Sequence, residues 1–379
     1  MTSQSQTVEL NSNLFLNTPP AGVVGSYSLL SAQAEARTPI TKFNLDVDGS
    51  YRKNWGPAAN LQASEFINYG VNARYEFKEK TAFDREYVET SWRQQSTALA
   101  LLRDLGVATN VNGFLDRLTL GGGIDRTLTA LDSISLRAFS TRTSYEPATG
   151  GTPFTDTLAT GFWRHNLSPI AAMTASSEAE FLNFDNAFNT RIQIYRNQIG
   201  TDLALSPQLS FRGSVGPAVT SIQGGVPATG PIVPFGSTST DWIGNAVLTY
   251  KMFRDTTLIV AADQSISPSI VGSLFKRDSL TTTLNYTINS HSSLSLSASG
   301  NRQVSTTTTD FASASAGYTH EFTREWNAQL SYRYLHRFSS SGTTIFDPIT
   351  GLPTVTGLGA ADSHSILMVV THSYMVLPP

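Results

Sequence analysis

The chain reverses direction about every 20 residues, and its connections alternate between tight polar turns and longer, looser segments from end to end. Tight turns fall at Thr38-Pro39, Lys78-Glu79-Lys80, Ala130-Leu131-Asp132, Leu167-Ser168-Pro169, Ser206-Pro207, Phe253-Arg254-Asp255, Asn289-Ser290-His291 and Thr323-Arg324-Glu325. Between them lie longer links near 54–64, 94–113, 144–154, 220–239, 268–274, 304–310 and 339–361, with a short one near 183–188. Short turns at one end of a sheet and long loops at the other are how an antiparallel meander crosses a membrane.

The runs between turns alternate with period 2. Leu294, Leu296, Ala298 and Gly300 are interleaved with Ser293, Ser295, Ser297, Ser299 and Asn301. Phe43, Leu45, Val47 and Tyr51 oppose Asn44, Asp46, Asp48, Ser50 and Arg52. One face is apolar and the other polar, the signature of a strand between two different solvents. Runs of about 10–13 residues exceed the usual 5–6 of soluble sheets and match what a tilted strand needs to span a bilayer.

Eighteen such runs, from 6–16 and 26–37 at the start to 326–338 and 362–375 at the end, form an even set. Eight tight turns join runs two to seventeen into hairpins, which leaves both chain ends on the tight-turn side, where the first and last runs can close the sheet. The expected fold is all-β: one transmembrane antiparallel up-and-down β-barrel of 18 strands, with 16 the nearest alternative. It forms a single domain over 1–379 with both termini periplasmic.

Composition agrees. Charged residues are 15% and net charge is −3, so the basic excess of a nucleic-acid binder is missing. The absence of cysteine excludes thiolate metal sites, thiol nucleophiles and disulfides. No run of 18 apolar residues offers a helical span, a test to which barrels are blind. The start, Met1 to Gln6, lacks the basic and apolar stretches of a secretory signal, so an exported chain is expected here in mature form.

If the polar face points inward, it lines a hydrated lumen with both signs of charge. The pore-lining candidates are Asp46, Asp48, Arg52, Arg74, Glu76, Arg137, Glu178, Glu180, Arg196, Asp202, Arg212, Lys251, Asp263, Arg277, Glu321, Arg333 and Arg337. On the lipid face an Arg or Lys would cost roughly 2–4 kcal/mol near mid-bilayer, which argues for the inward direction. As rings of charge they would set selectivity; the plainer alternative is cross-lumen salt bridges that merely hold the wall. Tyr250, Tyr286, Tyr318, Phe322, Trp326 and Tyr374 near the turns, with Tyr334 toward the loops, are expected at the two membrane interfaces. Ordinary cross-strand aromatic pairing is the competing reading.

The longest loops, 94–113, 220–239 and 339–361, are candidates to fold inward and narrow the pore. Residues 96–106 combine helix formers with a Ser or Thr cap and a terminal Gly, which suggests a short constriction or plug helix; the alternative is that they extend the strands above the membrane. The six histidines are scattered without metal-ligand spacing, and no nucleophile elbow, phosphate loop or dinucleotide fingerprint occurs. Gly121-Gly122-Gly123 lies inside a strand and marks a bend or a close approach. No enzyme activity, cofactor or metal is expected.

The repeated unit of tight polar turn and alternating strand, as in Asp255-Thr256-Thr257-Leu258-Ile259-Val260, His291-Ser292-Ser293-Leu294-Ser295-Leu296 and Glu325-Trp326-Asn327-Ala328-Gln329-Leu330, resembles the β-barrel porin families of Gram-negative outer membranes. Some relatives accompany exopolysaccharide synthesis and export clusters. The resemblance implies an outer-membrane pore passing polar solutes or a secreted polysaccharide. The implied surroundings are outer-membrane lipid and lipopolysaccharide, with a periplasmic export partner and no nucleic acid. The alternative is a structural or adhesive barrel acting through its surface loops on a partner protein. One departure is the end Tyr374-Met375-Val376-Leu377-Pro378-Pro379, where barrels of this kind commonly finish on an aromatic residue.

Overall fold

A computed structural model describes residues 2–14, 16, 20–57, 65–78, 84–97, 113–146, 152–186, 190–224, 236–268, 274–304, 308–338, 344–346, 353–355 and 359–374. The first strands are β1 (Thr2–Asn11), β2 (Val23–Arg37), β3 (Thr41–Trp55), β4 (Glu65–Lys78), β5 (Arg85–Ser96) and β6 (Phe114–Thr127). They continue as β7 (Asp132–Glu146), β8 (Phe154–Ser168), β9 (Ala171–Phe184), β10 (Arg191–Ala204), β11 (Leu209–Gln223) and β12 (Gly236–Phe253). Next come β13 (Thr256–Pro268), β14 (Leu274–Asn289), β15 (Ser292–Val304), β16 (Thr308–Glu321) and β17 (Trp326–Arg337). A short hairpin, β18 (Thr344–Phe346) and β19 (Pro353–Val355), precedes the last wall strand, β20 (Ala361–Tyr374).

The wall is one 18-stranded antiparallel sheet in which each strand pairs with its neighbours in sequence, apart from the β18–β19 hairpin. It closes where β1 pairs with β20, from Thr2 opposite Tyr374 to Asn11 opposite Ser365. Closure pairs every strand on both sides and leaves no edge for another chain to extend. Thr2 and Tyr374, the first pair of that seam, lie at the tight-turn end of the wall, beside Trp326.

The tight turns owe their geometry to small polar side chains. Thr38, Thr129, Ser206 and Thr323 each accept at the hydroxyl from the backbone N–H three residues on. These local bonds offer the backbone an alternative to further ladder, so the strands stop there. The turn expected at Lys78-Glu79-Lys80 lies outside the described residues at Glu79 and Lys80.

The first strand is corrected in position: it covers Thr2–Asn11, not 6–16. Leu14 and Leu16, which lengthened the expected run, leave the sheet and are buried at its loop end, Leu16 against Phe311 and Ala361.

The wall is one sheet thick around a hollow. The chain exposes 21652 Å², against roughly 15,000 Å² for a compact protein of this mass.

Candidate functional site: a charged wall facing a hydroxylic wall

Register decides which side chains share a face. On β3, Phe43, Val47 and Tyr51 stand opposite Tyr75, Val71 and Ile67 of β4, and all six are exposed large apolar residues. The same face carries all five tryptophans, Trp55, Trp92, Trp163, Trp242 and Trp326, each at least 37% exposed. On the other face side chains bond across an intervening strand: Arg52 of β3 reaches Glu9 of β1 at 2.8 Å, and Arg93 of β5 reaches Asp48 of β3 at 2.7 Å. Strands two apart approach most closely on the concave side of a curved wall, so this face is the inner one.

The register puts all seventeen charged candidates on this inner face. Arg74 meets Glu76 at 2.8 Å and Glu89 at 3.3 Å, with its guanidinium 3.9 Å from the Tyr87 ring centroid. Arg196 pairs with Glu178 and, at 2.6 Å, with Glu180. Asp202 is shared by Arg164 and Arg212, the latter at 2.8 Å. Glu9 takes Arg52 and, more loosely at 3.9 Å, Arg333. Asp263 accepts from the Ser265 hydroxyl at 2.9 Å, and Arg277 lies 5.2 Å from the Phe275 ring. Asp46, Arg137, Lys251 and Glu321 occupy inner positions without joining these pairs. The ion pairs of these candidates therefore run along the wall, within a strand or between strands one or two apart, in place of spanning the lumen.

Other inner residues escaped the sequence reading. Arg85 and Asp125 sit opposite one another, bonded at 2.6 Å, and Ser135 donates to the same carboxylate. Arg85 stands four residues before Glu89 on the same face of β5, a usable signal. Tyr87, Phe139 and Phe162 are hidden from the sequence because an aromatic ring fits the lipid face by its apolar character alone. Gly121 and Gly123 explain two of them: a Cβ at Gly121 would lie 2.1 Å from Phe139, and one at Gly123 would lie 2.8 Å from Tyr87. The rings take the space that a side chain would fill, the close approach that the glycine run implies.

The inner surface has two characters. From β3 to β11 it is dense with arginine and carboxylate. From β14 to β16 the central positions are Ser and Thr with Gly317 among them, tied by hydroxyl bonds such as Ser297 to Ser315 and Ser299 to Ser313, both 2.7 Å, whereas β13 presents Ile259, Ala261 and Asp263.

At the loop end the hollow narrows. The β12–β13 ladder stops at Gly244 and Gln264, short of the ends of both strands. Beyond it β13 and β14 lean across the inner face: the Ile266 carbonyl accepts from Arg196 at 2.7 Å, and Lys276 reaches Asp241 of β12 at 3.2 Å. Ile266 packs against Ala218 and Ile243, with Leu274 beside them. Across the mouth, Arg337 donates to the carbonyls of Leu16 and Gly359 at 2.9 and 3.0 Å. Of the loops expected to constrict the pore, 98–112, 225–235 and most of 339–358 lie outside the described residues, as does most of the helix expected at 96–106.

Six of the seven interface aromatics lie on the outer face, with Phe322 in the turn after β16. Histidines accompany them. Trp326 stacks on His372 at 4.3 Å, His372 on Tyr374 at 5.3 Å, and Phe322 meets His320 edge-on at 4.8 Å. Toward the loops, Tyr334 meets His364 at 4.9 Å and bonds Asp362 at 2.6 Å. Amphipathic rings with polar partners at the two ends of an apolar band suit the headgroup layers.

No family model and no curated protein matches the sequence. Solved structures do match in fold. The FrpB iron transporter from Neisseria meningitidis, F5-1 variant in its apoprotein form, is similar at TM-score 0.56 and 6% identity, covering 98% of this chain and 81% of that one. OccAB2 from Acinetobacter baumannii is similar at TM-score 0.51 and 10% identity, covering 99% of this chain and 98% of that one. Together with the apolar outer face and its aromatic borders, this defines the class: the chain is a Gram-negative outer-membrane β-barrel of 18 antiparallel strands.

Proposed function

We propose that the protein is a water-filled pore of the outer membrane that passes polar solutes or a secreted polysaccharide. The observation that carries this reading is the hollow, polar-walled interior: the chain exposes 21652 Å², well above the roughly 15,000 Å² of a filled body of its mass. Passage needs no catalysis and no cofactor. Selectivity follows from wall charge and from the narrowing made by β13 and β14. The hydroxylic wall supports a sugar-like cargo, because Ser and Thr hydroxyls both donate and accept and so replace lost water on a sliding polyol. In this reading the tight turns face the periplasm, where an export partner would dock, and the loop end is surrounded by lipopolysaccharide.

The test is single-channel recording in planar bilayers. Stepwise ohmic currents are expected, with liposome swelling in small neutral sugars. A purified, folded barrel that carries no current and admits no sugar would rule the pore out.

A further inference from the structure

Phe162 is an apolar ring facing water. It lies on the inner face of β8, opposite Ser135 on one side and Ser176 on the other, is 38% exposed, and stacks on no other ring among the described residues. A phenyl ring left uncovered in a hydrated hollow forfeits the burial that makes aromatic residues useful elsewhere. Two recesses on the inner face share it. One, of 370 Å³, is floored by Arg164, Gln198, Asp202, Arg212 and Ser214; the other, of 590 Å³, by Arg85, Asp125 and Arg137.

The charges around the ring do not cancel. Asp202 is divided between Arg164 and Arg212, and Asp125 is held by Arg85. Arg137 makes no hydrogen bond or ion pair among the described residues, and its side chain is exposed. Among the inner-face residues lining the two recesses, four arginines against two aspartates leave a positive surplus, and Glu178, the diagonal neighbour of Phe162 across the β8–β9 ladder, is taken by Arg196. Arg126, which also borders the larger recess, pairs with Glu86 on the outer face. Arg137 sits one diagonal step from Phe162 across the β7–β8 ladder, a separation of about 7–8 Å. A ring stacked on Phe162 would hold a substituent carboxylate within reach of that guanidinium. Gln198, Ser214 and Asn245 form a hydrogen-bonded chain beside the site, and amides and hydroxyls of this kind bind the ring's remaining polar groups.

We propose that Phe162 and Arg137 form a docking site on the pore wall for a ring-bearing organic carboxylate, the ring stacking on Phe162 and the carboxylate pairing with Arg137. The proposal rests on the pore reading for its purpose, not for its chemistry. The ring can be a sugar acid or an aromatic acid.

Calorimetry on the detergent-purified full chain, with D-galacturonate, benzoate and neutral D-galactose as probes, tests it. Saturable binding of one or both anions, at least about tenfold tighter than galactose, is expected. Galacturonate alone assigns the ring to a sugar acid and benzoate alone to an aromatic acid. Arg137→Gln should weaken anion binding about tenfold, and Phe162→Ala should do the same; Phe162→Leu guards against loss of folding in the alanine variant. Thr283→Ala, on the inner face of β14 six strands away, should leave it unchanged. Anion binding no tighter than galactose, or indifferent to both Arg137→Gln and Phe162→Leu, would overturn the site. Current through the bilayer without anion binding removes the site and keeps the pore; anion binding without current does the reverse.

Discussion

Arg93 and Asp48 meet at 2.7 Å directly over Gly70, the β4 residue paired with both of them. A Cβ on Gly70 would stand 3.2 Å from the Arg93 Nε and 3.3 Å from the Asp48 carboxylate, so the bridge lies tight over a position without a side chain and anything larger than a methyl there would displace it. Gly25 clears the way for Arg52 and Glu9 in the same manner, a Cβ there lying 3.2 Å from the Arg52 Nη2.

Gly70→Val should therefore break the bridge and push Arg93 into the lumen. The pair is partly exposed, so its loss costs about 1 kcal/mol or less, and valine suits a strand. Urea midpoints should hardly move while single-channel conductance falls. A large loss of stability with unchanged conductance would contradict this account.

Arg196 is a different case, since its side chain and that of Glu180 are only 12% and 8% exposed. Arg196→Met strands Glu180 without its partner, an effect of roughly 3–5 kcal/mol. It also frees Ile266, so the loop-end narrowing should relax. Denaturant titration should show the loss of stability, and conductance of the folded fraction should rise.

Leu296 and Ser297 are neighbours in β15 that point to opposite solvents; Leu296 is an exposed apolar residue and Ser297 bonds Ser315 inside. Leu296→Arg should lower the folding free energy into vesicles by about 2–4 kcal/mol. Ser297→Arg should fold at near wild-type yield and reduce conductance. Equal penalties for the two would refute the assignment of faces.

All five tryptophans lie on the outer face. Lipids brominated along their acyl chains should quench most of the intrinsic fluorescence, whereas acrylamide delivered through water should quench little of it. The opposite pattern would place the indoles in the lumen.

Most of the wall was readable from the sequence because a strand between lipid and water repeats every two residues, and Leu294 to Asn301 does so without a fault. The first strand misled because Gln4 and Gln6 lie on the outer face, where apolar residues were expected, and Gln6 satisfies itself on Ser28 at 2.7 Å. The pairing of Arg93 with Asp48 was not readable, since it depends on what Gly70 lacks. Nor was the lean of β13 and β14: Ile266 follows its strand's alternation, and only the end of the β12–β13 ladder turns it against Ala218. Phe162 and Tyr87 stayed concealed because an aromatic side chain suits lipid and lumen alike until its strand partners are known.

The first strand and the last are stitched together over ten residue pairs, Thr2 with Tyr374 through Asn11 with Ser365. The wall therefore cannot be finished until its final stretch has been made. A chain interrupted before Ala361 would hold two raw margins, on β1 and β17, and would be prone to zip onto another copy. Completion by the last strand makes assembly a test of the whole polypeptide, passed only when the ring shuts.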